Sequence, residues 1–168
     1  MNPETEARVF ETPYSRLLSQ PTLSGAITDL ETLLAVTYPE PSLEPRVGTW
    51  SNNQIIGHLI DSAFNNHARF VRAQIPEHLT YAYLIVPGYA QNDWVAVGHY
   101  DSRTWEDLLT LWRALNQQIL HVMKTVNPIS LFVPCIIGDS EAKHLEAVMV
   151  DYVGHTLHHL QSISRESA

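Results

Sequence analysis

Two histidines near the end of the chain have a spacing that suits metal binding. His155 and His159 lie in the segment DYVGHTLHHLQSI, residues 151–163. On a helix that turns about 100° per residue, positions four apart differ by only about 40°, so both imidazoles project from one side. A helix can use this spacing to give two nitrogen ligands to one metal ion. His158 points about 100° away from His159 and is the weakest candidate ligand of the three.

The surrounding apolar residues indicate which way this pair faces. They form a stripe at helical period, and both histidines stand at its edge, facing mostly inward. A buried polar group without a partner costs about 1 to 3 kcal/mol, so each imidazole needs an ion or a hydrogen-bond partner. For the pair alone, half-buried histidines bonded to carboxylates or carbonyls are the favoured alternative. The stripe comprises Leu145, Val148, Tyr152, Thr156, Leu160 and Ile163.

Length and composition indicate one globular domain. The chain has 168 residues, of which 45% are hydrophobic and 17% charged, and this length permits a sizeable core. No apolar run reaches the roughly eighteen residues of a transmembrane helix, so we expect no membrane partner. The acidic N-terminal region lacks the apolar segment of an export signal, which leads us to expect a cytoplasmic protein.

Charge and cysteine content exclude further classes of function. The net charge is -8, and without a basic patch nucleic acid is not an expected partner. The single cysteine, Cys135, forms no internal disulfide and cannot build a thiolate metal cage. Because it stands in an apolar run, we expect a packed and inert thiol.

Hydrophobic periodicity predicts four helices and no hairpin, which is an all-α four-helix bundle. The first helix covers about 22–37 and is followed by a proline-rich loop through Pro45. The second should run over 52–75, because Ser51 and Gln54 form a capping box at its start. Trp50 is placed to pack on Ile55 as a hydrophobic staple.

The second half of the chain contains two more predicted helices. Ser102 is the expected N-cap of the third, which ends before Pro128. Asp139 or Ser140 caps the fourth, which runs to about Ser164. Long loops therefore separate helices one and two, two and three, and three and four. The expected organisation is an N-terminal arm at 1–21, the bundle at 22–164 and a C-terminal tail at 165–168.

Several short motifs resemble those of the DinB superfamily of metalloenzymes. They are Trp-Ser at a helix start, GHLID at 57–61, DYVGH at 151–155 and HHLQ at 158–161, with YAQNDW and SRTWEDLLTLW between them. The resemblance covers roughly residues 22–164. It implies an up-down-down-up bundle, often a homodimer, with one divalent metal held by three histidines. On this chain those ligands are His58, His155 and His159.

A site of three neutral imidazoles leaves open coordination positions and suits Zn(II) or Ni(II). The sequence does not select between these metals, and an apo bundle with hydrogen-bonded core histidines is the alternative. The loop before the third helix either covers the metal or is an ordinary packed loop, the second being favoured. The loop residues concerned are Tyr89, Gln91 and Asp93.

Four further polar residues are candidates for the surroundings of the metal. Asp61 and Asp151 are spaced so that either carboxylate can accept the outer N–H of a ligand histidine, with solvated surface aspartates as the alternative. Asn65 and Arg69 lie about 10 and 16 Å from His58 along the helix axis. They can line a cavity but cannot contact the same ion.

Two classes of function follow. The first is an enzyme acting on a small molecule, since an open tri-histidine metal activates water or a thiolate. Some members of the resembled superfamily are transferases that use a low-molecular-weight thiol such as mycothiol or bacillithiol, and Arg69 is then a candidate for an anionic group. No general base or thiol pocket stands out in this chain. The second class is a non-catalytic metal-binding or ligand-binding bundle, in which the ion joins helices two and four.

Overall fold

The computed structural model describes residues 22–41 and 50–166. The predicted arm at 1–21, the loop around Pro45 and the last two residues of the predicted tail lie outside this described part. The described part contains five α-helices: α1 (Leu23–Ala35), α2 (Asn52–Arg72), α3 (Gln91–Gly98), α4 (Trp105–Lys124) and α5 (Leu145–Glu166). It also contains three short strands: β1 (Leu84–Val86), β2 (Pro134–Ile137) and β3 (Lys143–His144).

Helix α2 begins where the sequence predicts and ends earlier. The Ser51 hydroxyl accepts from the Gln54 amide at 3.0 Å and the Ser51 amide donates to the Gln54 side chain at 2.9 Å, which confirms the capping box. The helix ends at Arg72 rather than at the predicted position 75. Ile75 already has an extended conformation, as expected for a residue that precedes proline.

Contacts at the helix ends show that α2 and α4 run in the same direction. The Asn53 side chain, at the start of α2, donates to the Arg103 carbonyl just before α4 at 2.9 Å. At the opposite end, the Asn127 amide donates to the Gln74 side chain at 3.2 Å. The two starts and the two ends are therefore adjacent, so these helices are parallel.

The outer helices run the other way. Trp105, at the start of α4, donates to the Tyr38 carbonyl just beyond the end of α1, so α1 is antiparallel to α4. On α5, the ring of Tyr152 packs on Phe70, near the end of α2, with ring centroids 5.9 Å apart. The later residue His155 packs on His58, in the first half of α2. Helix α5 is therefore antiparallel to α2, and the expected up-down-down-up four-helix bundle is confirmed.

Two apolar clusters hold the bundle together. The first surrounds Phe70 and Met149, and the second surrounds Leu59, Trp112 and Leu160. All of these side chains are at most 1% exposed, and each large apolar side chain buried in this way stabilises the fold by about 1.5–3 kcal/mol. The second cluster includes Leu157 and Leu160 of α5, which lie on either side of His158 and His159 in the sequence. Their burial holds this part of α5 against the core.

The connections differ from the sequence-based expectation. Strand β1 pairs in parallel with β2, with Leu84 opposite Cys135, and β2 pairs antiparallel with β3, so the expected absence of a hairpin is wrong. These strands have two to four residues, too few for an alternating pattern to be recognised. Helix α5 starts at Leu145 rather than beside Asp139 because the chain between them turns back to form β3, which pairs with β2.

The N-terminus of α4 also differs from the sequence-based prediction. Thr104, rather than Ser102, caps α4, since its hydroxyl accepts from the Asp107 amide at 3.2 Å. Ser102 belongs to a preceding 3₁₀ turn and donates to the His99 carbonyl.

Among residues 22–41 and 50–166, no helix is both long and apolar enough to cross a bilayer.

Candidate metal centre

Three histidines from two antiparallel helices converge in the bundle. His58 comes from α2, and His155 and His159 come from successive turns of α5. The Nε2 atoms of His58 and His155 are 3.0 Å apart, and one ring nitrogen from each residue lies within 4.8 Å of the others. Two nitrogens bonded to a single ion at about 2.0–2.1 Å can have the observed His58–His155 separation. The described structure thus brings together the three residues that the resemblance implies as ligands.

Trp50 covers one side of this histidine cluster. Its ring centroid lies 4.9 Å from that of His58 and 6.4 Å from that of His159. His58 is fully buried, whereas His155 and His159 are partly exposed. The cluster is therefore closed to solvent at His58 and partly open to it at His155 and His159.

Burial keeps these imidazoles neutral. Desolvation, and then the neighbouring histidines, lower the pKa of His58 and of His159 to about 4. The pKa of His155 is also lowered, again mainly by desolvation. Neutral imidazoles offer the lone pairs that a transition-metal ion needs. A neutral imidazole has only one N–H to donate, so three neighbouring rings cannot satisfy all their ring nitrogens by hydrogen bonds to one another. A divalent cation can accept a lone pair from each of them.

The two aspartates expected beside the ligands have other partners. Asp151 is exposed and pairs with Lys143 of β3 at 2.5 Å. Asp61 is buried, and its Oδ1 accepts a hydrogen bond from the Tyr100 hydroxyl. No described hydrogen bond joins either carboxylate to one of the three histidines, so an orienting role for these aspartates stays a prediction. Within the described residues, the Nδ1 atom of His58 is buried without a hydrogen-bond partner.

Asn65 and Arg69 lie further along α2. Asn65 donates to the Asp61 carbonyl of its own helix at 2.9 Å, and Arg69 donates to Asn66 at 3.3 Å. Burial lowers the pKa of Arg69, while the nearby Tyr89 raises it. Asn65 and Arg69 therefore form a polar row on α2 that continues away from the histidines, and Tyr89 lies beside Arg69.

A cavity lies between α2 and α3, and none of the three histidines lines it. It has a volume of about 380 Å³. Asp61 contributes to its wall and follows His58 by three residues, about 4.5 Å along the helix axis. The lining residues are Asp61, Asp93, Trp94, Val97, Gly98 and Tyr100.

Helix α3 forms most of the outer wall of this cavity. The sequence did not indicate Trp94 or Tyr100 as residues of a site. Of the loop residues for which a cover over the metal was the less favoured alternative, Asp93 lines the cavity, and Tyr89 packs on Trp94 with ring centroids 4.9 Å apart. Gln91 is the first residue of α3. The sequence contains both the GHLID motif and a later aromatic segment, but it does not show that the two segments are in contact.

Comparison with family models identifies the class of protein. The model described as the DinB superfamily matches residues 22–163, so the chain belongs to the DinB superfamily. Comparison with curated proteins finds no match.

A solved structure with the same fold is that of YfiT from Bacillus subtilis, described as "a probable metal-dependent hydrolase with an unusual four-helix bundle topology". It is 21% identical to this chain, with a TM-score of 0.60, and the match covers 85% of this chain and 82% of that chain. At this identity the likeness establishes the fold alone.

Proposed function

We propose that this protein is a divalent-metal-dependent hydrolase of small molecules, with His58, His155 and His159 as the metal ligands. The convergence of these three side chains from α2 and α5 carries the proposal. Their low pKa values keep the donor nitrogens unprotonated near neutral pH. Zn(II) and Ni(II) both accept imidazole ligands, and we propose one of these two metals.

When bound, such an ion supplies a Lewis acid that lowers the pKa of water to near neutrality. The protein residues define where that chemistry takes place. The histidines fix the position of the ion, and Trp50 shields it on one side. The cavity beside Asp61 provides space for a substrate one helical turn from His58.

Hydrolysis is preferred to thiol transfer for two reasons. The first is that the structural neighbour is described as a probable metal-dependent hydrolase. The second is that a transferase would need an external low-molecular-weight thiol, and no group in the described cavity is specific for one. A purely structural ion is the other alternative, and the cavity between α2 and α3 favours chemistry over that role.

Metal content and metal-dependent turnover of the untagged protein test this proposal. We expect close to one equivalent of metal in wild type and in His158→Ala, and little in His155→Ala, by elemental analysis. His158 is a matched control because it is an exposed neighbour on the same helix. Hydrolysis of a panel of p-nitrophenyl esters and phosphates should follow the metal content. Equal metal in all three proteins, or turnover unaffected by a chelator, would contradict the proposal.

A further inference from the structure

The cavity between α2 and α3 combines negative charge with aromatic surface. Two of its lining residues are aspartates, Asp61 and Asp93, and two are aromatic, Trp94 and Tyr100. No lysine or arginine lines it. Among the described residues the ion pairs are Lys124–Glu31 and Lys143–Asp151, so neither aspartate of the cavity has a basic partner there.

The buried carboxylate of Asp61 is the main evidence that this cavity binds a ligand. It is only 6% exposed, and its Oδ2 atom is buried with no hydrogen-bond partner in the described part of the chain. Its Oδ1 atom is held by the Tyr100 hydroxyl, which fixes the carboxylate. A buried acceptor without a donor costs free energy, more so when it is ionised. A ligand that brings a positively charged N–H donor would recover this free energy.

The aromatic residues favour the same kind of ligand. Trp94 is 43% exposed and is held against Tyr89, with ring centroids 4.9 Å apart. An exposed indole face attracts organic cations more strongly than the other aromatic rings do. Burial raises the pKa of Asp61, as expected for a carboxylate that has no cationic partner.

We propose that this cavity binds a primary ammonium group, with Asp61 accepting its N–H, Trp94 providing an aromatic surface and Asp93 adding negative charge at the rim. This inference rests on the proposed function and specifies its substrate class: a small molecule with a cationic amine on one side of the bond that is hydrolysed. Asp61 is then a specificity-determining residue, and Tyr100 is a positioning residue that holds its carboxylate.

Three ligands that share a benzene ring provide the test: benzylammonium, benzyl alcohol and benzoate. Their binding to the untagged protein, as purified, is followed by ¹H–¹⁵N NMR titration at neutral pH. We expect benzylammonium to bind about tenfold more tightly than benzyl alcohol, with benzoate weaker still. The shifts should centre on the Gly98 amide and the Trp94 indole N–H. Equal affinities, a preference for benzoate or shifts mapped elsewhere would overturn the proposal.

Substitutions isolate the charge of the cavity. Asp61→Asn keeps an oxygen that can accept from Tyr100 but removes the charge, and we expect about a tenfold loss of benzylammonium affinity. Asp107→Asn is the matched control, since it removes the same charge from an exposed position on α4. Asp93→Asn changes an exposed residue and should fold even if Asp61→Asn does not; its expected loss is about threefold. Unchanged affinity in both cavity variants would overturn the proposal.

Metal content is measured on the same samples, so the two proposals can fail separately. Stoichiometric metal without discrimination among the three ligands would remove the ammonium site and leave the metal site in place. Discrimination in favour of benzylammonium without any bound metal would remove the proposed hydrolase and leave a cation-binding cavity.

Discussion

The ring of Tyr100 lies directly against the backbone of Gly57, the residue before His58. A Cβ atom at position 57 would lie 2.0 Å from Cδ2 of Tyr100. Gly98 approaches the same Cδ2–Cε2 edge of the ring, where a Cβ atom would lie 2.5 Å from Cε2. Two glycines therefore leave room for the ring whose hydroxyl holds Asp61. This contact joins α2 and the segment after α3 beside the histidine cluster.

Gly57→Ala should displace Tyr100 and destabilise the protein. Alanine favours a helix by about 1 kcal/mol over glycine, but overpacking costs about 1–3 kcal/mol, and the bond to Asp61 is lost as well. We expect a net loss of stability in urea unfolding. Gly154→Ala is the control, because nothing lies within 4 Å of a Cβ at that position of α5. It should stabilise the protein by about 0.5–1 kcal/mol, and a similar gain for Gly57→Ala would contradict the contact.

Zinc should stabilise the folded protein through the histidine cluster. A ligand that binds only the native state, at a free concentration of a hundred times its Kd, adds about 2.7 kcal/mol to the free energy of unfolding. We expect a stabilisation of this size in urea unfolding with buffered free zinc, for wild type and for His158→Ala. His159→Ala should show almost none. The proposed ligand set would be wrong if zinc stabilised His159→Ala as much as wild type.

The parts of the fold that depend on local chemistry were predictable from the sequence. The capping box of Ser51 and Gln54 involves residues three apart, and it located the start of α2. Helix α3 was missed because it has only eight residues and Ala90 makes no side-chain cap. The strands were missed because β1 pairs with β2 across a distant part of the chain, and pairing of this kind leaves no short-range pattern.

The candidate site divides in the same way. The spacing of His155 and His159 follows from helical geometry alone. His58 was placed with them only through the family resemblance, because its approach to α5 depends on how the helices pack. The Asp61–Tyr100 hydrogen bond spans 39 residues, and nothing in the separate segments indicates it. The sequence and the family resemblance thus predicted which three histidines come together, but not the cavity between α2 and α3.

The Cys135 thiol should make stability depend on pH in the alkaline range. Burial raises its pKa from 9.0 to about 11, with Arg69 acting weakly in the opposite direction. The unfolded chain therefore loses this proton first as pH rises. The contribution of the neutral thiol is complete below about pH 9 and is lost progressively towards pH 11.

A comparison with Cys135→Ala isolates this effect. The difference in free energy of unfolding between wild type and variant, measured in urea, should stay constant from pH 7 to about pH 8.5. From there to about pH 10.5 wild type should lose stability relative to the variant. Tyrosines and lysines titrate in both proteins and cancel in the difference. A difference that does not change with pH would show that the thiol ionises equally in the folded and unfolded states.

Tyr152→Phe should expose the importance of a buried hydrogen bond at the centre of the bundle. The Tyr152 hydroxyl donates to Asn116 at 2.6 Å, and Asn116 is fully buried. Removing the hydroxyl leaves that acceptor without its donor, which should cost about 1–3 kcal/mol of unfolding free energy. Tyr83→Phe, at a 40% exposed position, should change stability by less than about 0.5 kcal/mol.

A second substitution separates the hydrogen bond from the packing of the Tyr152 ring. Asn116→Leu in the Tyr152→Phe background replaces both polar partners by apolar groups of similar shape, so it should restore part of the lost stability. The double-mutant cycle should therefore give a coupling of about 1 kcal/mol or more between the two positions. Additive losses in urea unfolding would mean that the hydroxyl and the amide do not interact, and that the ring of Tyr152 joins α5 to α2 by packing alone.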